Sequence, residues 1–131
     1  MKKLTREWMC KAESDLAAAQ RLADSKPPLH DAVCFHAQQS AEKYLKAVLQ
    51  EFALIIPKTH DLERLLSLIL PVAPQLAGLK RRLAMLSQFA VEYRYPGMLA
   101  TGRQARSSLQ HARVVRAEIR LALGLRPPKS L

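Results

Sequence analysis

The sequence predicts an all-α domain, an up-and-down bundle of four to five helices, and three observations carry that expectation. Apolar residues recur at spacings of three and four through most of the chain. No alternating apolar and polar run bounded by turn residues occurs, so there is no candidate strand. Short stretches containing proline or glycine separate the periodic segments, as the short connections of an antiparallel bundle require.

The first helix is expected from about Thr5 to Ala23, with Trp8, Ala12, Leu16, Ala19 and Ala23 on one face. "DSKPPLH" interrupts it. The second contains "CFHAQQSAEKYLKAVL", residues 34 to 49, and extends to about Phe52. "LIIPKTHDL" closes it: Pro57 breaks the helix, and Thr59 or Asp61 can cap the next. The third runs from about Leu62 to Leu70 and ends at Pro71 and Pro74. The fourth is expected from about Pro74 to Tyr93, with Leu76, Leu79, Leu83, Leu86 and Phe89 inward, and stops at "YRYPG". The fifth runs from about Arg103 to Leu123, with Gly124 as its stop. The 131 residues thus make a single domain with a core of about 5–124 and a tail of 125–131.

Composition narrows the function. No run reaches eighteen apolar residues, and "MKKLTREWMCKAESDL" has no apolar region behind its lysines. Neither a membrane span nor a signal peptide is expected, and a cytoplasmic location follows. Cys10 and Cys34 read as structural thiols packed as small hydrophobes. His30 and Cys34, four apart, are too few to hold zinc, so no metal and no cofactor is expected. The net charge of +10 is unevenly placed: residues 1–77 carry ten Lys/Arg against nine Asp/Glu, residues 78–131 eleven against two. A polyanion or an acidic protein is the partner such a half would attract.

On the second helix, Cys34, Ala37, Ala41, Tyr44, Leu45, Val48 and Leu49 share one arc, while His36, Gln39, Lys43 and Lys46 lie on the other side. His36, Gln39 and Lys43 form a polar strip of the kind that usually faces solvent. Gln38 falls inside the apolar arc and Glu42 at its border. A buried amide there needs Glu42, a loop backbone or another subunit as partner, which makes it either a structural tie or a ligand contact.

Two further stretches stand out. In "PKTHDL", capping explains Asp61 and leaves His60 free. In "VEYRYPG", Arg94 lies between Tyr93 and Tyr95 at a helix end. That grouping would either stack a base and hold a phosphate, or pin the helix by pairing with a carboxylate such as Glu42. On the last helix, Arg103, Arg106, Arg113, Arg116 and Arg120 project within about 140° of one another, as a basic stripe or an ordinary exposed face.

With "CFHAQQSAEKYLKAVL", "PKTHDLERLL" and "VEYRYPG" in this order, the chain resembles the HEPN domain family from roughly Trp8 to Leu123. The resemblance implies a helical bundle that forms a homodimer. It also implies a minimal nucleotidyltransferase partner in a toxin–antitoxin pair, and either nucleotide or RNA binding, metal-independent RNase activity, or a purely interacting role. It places the polar face of the second helix beside a cleft or dimer interface with "THD" and "YRYP". His36, Gln39, Lys43, His60, Asp61, Arg94 and Tyr95 are then the expected phosphate-binding set, with Gln38 and Glu42 as structural polar core.

The RNase branch uses an Arg followed after four to six residues by a His, often with a Tyr two positions on. After Arg94 the corresponding positions are Leu99, Ala100 and Thr101. The literal match is Arg106 and His111 in "RSSLQH", with Arg113 where the Tyr would be. Twelve Arg, four His and three allowed spacings yield about one such match by chance. Five residues apart on one helix, the two side chains diverge by about 140°. The leading expectation is therefore a binding domain rather than an enzyme, with Arg106 and His111 the catalytic candidates of the alternative.

Overall fold

The computed structural model describes residues 1–126, so residues 127–131 of the expected tail lie outside the described residues. Among the described residues there are five α-helices: α1 (Lys3–Asp24), α2 (His30–Glu51), α3 (Leu62–Ile69), α4 (Lys80–Glu92) and α5 (Gly102–Ala122). No strand occurs among the described residues.

The fourth expected helix divides. Pro74–Leu79 is a 3₁₀ segment, and regular α-helix begins only at Lys80. Leu76 and Leu79 are both buried there. At three residues per turn they align on one face, whereas an α-turn would stagger them. Gly78 between them weakens any preference for the α form.

α2 is the central element, in contact with α1, α3, α4 and α5. Thirteen of its 22 residues are buried, so little of it is left for a solvated face. Its tightest neighbour is α1, where Ala12, Ala19, Ala37 and Ala41 have no exposed surface and let the backbones approach. Ser40 Oγ donates to the Ala12 carbonyl at 2.9 Å, and Thr5 Oγ1 to Glu51 at 2.9 Å, which fixes the register of the pair. Thr5 and Met9 take the inward positions of the first turns, and Trp8 lies half-buried beside them.

The helix ends follow capping chemistry. Asp61 caps α3 through the amides of Glu63 and Arg64, at 3.1 and 3.2 Å. Thr101 and Gln104 form a reciprocal capping box at the start of α5. Gly124, at φ 74°, takes the left-handed position after α5, and the Leu125 amide returns to the Arg120 carbonyl at 2.8 Å. After α2 the same left-handed position is filled by Ala53, at φ 56°. Lys26–Pro27 in the α1–α2 connection is a cis peptide bond.

Candidate functional site

The expected phosphate-binding residues do not converge. They divide among three places, and in two of them carboxylates already occupy the cations. On α2, His36 Nδ1 pairs with Asp15 of α1 at 2.9 Å, and Lys43 pairs with the other oxygen of the same carboxylate. The strip expected to face solvent is therefore half-buried against α1. Lys46, assigned to the polar side, is buried as well, with its ammonium 5.8 Å from the centre of the Trp8 ring.

The second place is a polar core. Glu42, 3% exposed, accepts from Lys46 at 3.0 Å and pairs with His60 Nδ1 at 2.8 Å. Gln38 donates to the His60 carbonyl at 3.1 Å and accepts from Gln39 at 2.8 Å. These side chains join the loop before α3 to the middle of α2. Asp61 is occupied as the α3 cap.

The third place is the α4–α5 connection. Tyr93 is buried and packs on Phe89 with ring centres 6.2 Å apart, while Tyr95 is 61% exposed. The two rings thus lie on different sides of the chain and do not sandwich Arg94. Burial, followed by the charge of Glu92, pushes the Tyr93 phenol upward. Arg94 is exposed, and among the described residues it makes no ion pair, so the expected pairing with Glu42 is not formed.

Two other expectations are corrected. Three members of the arginine stripe on α5 are tied down: Arg113 bonds Gln20, Arg116 bonds Glu13 at 3.0 Å, and Arg120 bonds the Arg126 carbonyl at 3.1 Å. Arg103 and Arg106 remain exposed. Cys10 is also exposed, and only Cys34 packs in the core, where burial raises its thiol pKa.

The literal motif separates into two unrelated pairs. Arg106 faces the α1–α2 connection, beside His30. His111 faces α4, where its Nδ1 lies 3.1 Å from Arg82 Nη1 and its Nε2 3.2 Å from Ser107 Oγ. A guanidinium only donates, so Nδ1 is the bare nitrogen, and Nε2 carries the ring proton and donates it to Ser107. Burial, then the charges of Arg82 and Arg81, holds His111 below the usual histidine range.

Gly78, Arg81, Arg82, Met85, Ser107 and His111 line one cleft of about 460 Å³. No carboxylate lines it, and its polar groups are two guanidinium ions, a hydroxyl and a neutral imidazole. Such a donor set is complementary to an oxyanion. Reading single helices could not reveal it, because Arg82 and His111 are 29 positions apart. The signal available in the sequence was "KRR" at 80–82, within the basic half of the chain.

Comparison with known proteins agrees with this architecture. The HEPN domain profile matches residues 5–121. The chain belongs to the HEPN domain family. Among curated proteins no relative matches it. Two solved structures share the fold. TT1696 from Thermus thermophilus superposes with a TM-score of 0.81 at 22% identity, over 92% of this chain and 99% of its own. ST0689, described as an archaeal HEPN homologue, gives 0.68 at 24% identity, over 91% and 99%. No helix among the described residues of this HEPN domain is long and apolar enough to cross a membrane.

Proposed function

We propose that this HEPN domain binds the phosphate of a nucleotide or RNA in the cleft between α4 and α5. The observation that carries the reading is Arg82 donating to the bare nitrogen of a partly buried histidine, with Arg81 alongside and no carboxylate in the cleft. Two cations held together without an anion form a site whose electrostatic energy falls when an anion enters.

The same geometry favours binding over cleavage at this place. With Nδ1 committed to Arg82 and Nε2 protonated, His111 has no free lone pair with which to accept a proton from a 2′-hydroxyl. Arg106, the other half of the motif, lies on a different face of α5. We also propose a homodimer and a minimal nucleotidyltransferase as partner. Supporting a second copy are the exposed side chains of Leu29, Phe35, Met98 and Leu99 around the start of α2 and the α4–α5 connection.

The test is fluorescence anisotropy with a labelled single-stranded RNA and with ATP, under metal chelation and at several salt concentrations. Arg82→Gln is expected to weaken binding about tenfold or more, the worth of one charge-assisted hydrogen bond. Arg94→Ala should have a smaller effect. Unchanged affinity in Arg82→Gln, or metal-independent cleavage that disappears in His111→Ala, would overturn the reading.

A further inference from the structure

On the other side of α5 lies a cleft of about 420 Å³ against the α1–α2 connection, lined in part by Gln20, His30, Gly102, Arg106, Gln110 and Arg113. Arg106, Gln110 and Arg113 stand at i, i+4 and i+7 on α5 and therefore share a face. His30, the first residue of α2, approaches from across the gap. We infer that this is a second and separate anion site, built for a phosphate-type oxyanion.

Three observations carry the inference. The first is the role of Gly102. A Cβ placed there would stand 3.1 Å from Arg106 Nη1 and 3.4 Å from His30 Nε2. The guanidinium and the imidazole therefore converge on the same bare stretch of backbone, and a side chain at this position would push both outward. The second is how Arg113 is held. Gln20 accepts from its Nη2 and gives its own amide hydrogen to Asp24 Oδ2 at 3.1 Å. One glutamine thus fixes Arg113 in orientation with its remaining donors uncommitted to Gln20, and at the same time engages the one carboxylate lining the cleft.

The third is that Arg106 makes no ion pair with a carboxylate among the described residues, although it has a histidine as neighbour. Two planar forks and a ring nitrogen, with the Gln110 amide one turn from Arg106, match the several acceptors of a phosphate better than the two of a carboxylate. Pro28 and Leu109 supply an apolar wall on which the organic part of a monoester can rest. The α4–α5 cleft contributes none of these groups, so this site does not depend on the function proposed above.

The experiment is an amide and imidazole NMR titration of the full chain with inorganic phosphate and, separately, phenyl phosphate, each against sodium chloride of matched ionic strength. Phosphate is expected to shift the Gly102 and Arg103 amides and the His30 ring. Arg106→Gln should weaken that response about tenfold or more. Gly102→Ala should weaken it too while far-UV circular dichroism shows full helix content, because alanine suits a helical position and disturbs only the guanidinium and ring. Arg82→Gln should leave it unchanged. Equal affinity for the two probes assigns free phosphate as the ligand class, and tighter phenyl phosphate assigns an organic monoester. Shifts reproduced by sodium chloride, or unaffected by Arg106→Gln, would overturn the site.

Discussion

Removing the Glu42 carboxylate tests whether the polar groups of α2 serve structure or are held ready for a ligand. In Glu42→Ala, the Lys46 ammonium loses its carboxylate while its side chain is only 9% exposed, and the Glu42 position itself is 4% exposed. His60 Nδ1 loses its partner at 2.8 Å in the same step. Breaking one side of a buried ion pair costs about 3–5 kcal/mol, because the remaining charge is left in a poorly solvating place. With a urea slope of about 1.5–2 kcal/mol/M for a domain of this size, the unfolding midpoint should fall by roughly 2 M at an unchanged slope. The double substitution Glu42→Leu with Lys46→Leu removes both charges and should recover most of that loss. Equilibrium urea unfolding followed by circular dichroism measures both. A loss below about 1 kcal/mol in Glu42→Ala would refute the structural reading and return this cluster to the candidate ligand contacts.

Four further outcomes follow from the same geometry. Asp15→Asn removes the carboxylate charge shared by His36 and Lys43 and turns one of its two acceptor oxygens into a donor, and should cost about 1–2 kcal/mol by urea unfolding. Ala53→Gly should stabilise the domain by about 0.5–1 kcal/mol in the same assay, because the left-handed position after α2 suits glycine. His111 is held below its ordinary pKa, so the unfolded chain binds the proton more readily. The stability this contributes is present above about pH 6.5 and declines as pH falls through the folded value, and Arg82→Met should reduce the decline in urea midpoints between pH 7 and 5. Burial, then Glu13, pushes the Tyr44 phenol far above its usual value, so an alkaline absorbance titration should leave this tyrosine silent until the chain unfolds. The stability from its neutral form is present below about pH 10 and lost above it.

The fold was legible because each helix carries its own period and its own stops. Asp61 and Gly124 act in the structure as capping chemistry requires, and apart from the start of α4 the elements begin and end within a few residues of where proline, glycine and the apolar period place them. The 3₁₀ segment was not legible, since Leu76, Leu79, Leu83 and Leu86 also satisfy the spacing of one continuous α-helix. Buried polar chemistry was legible only in part. A helical wheel shows that Gln38 falls among apolar residues, but not that the His60 carbonyl meets it. The same wheel put Lys46 and Lys43 on the outer side, because it cannot know that α1 covers that side and brings Asp15 with it.

The arginines show why charge counts alone mislead about sites. Most of the basic excess lies in the last 54 residues, yet Arg113 and Arg116 are committed to Gln20 and Glu13 of α1, from the charge-balanced half. Arg82 and Arg106 each have a histidine as neighbour and, among the described residues, no ion pair with a carboxylate. A guanidinium facing a carboxylate has its charge neutralised locally and gains little from an anion. One facing an imidazole keeps its full field. Arg82 and Arg106 lie on opposite flanks of α5, separated by one helix diameter of about 10 Å. Ligands bound at the two places should therefore compete weakly or not at all, and a phosphate titration fitted in Arg82→Gln should return the same affinity at Gly102 as in the unmodified chain.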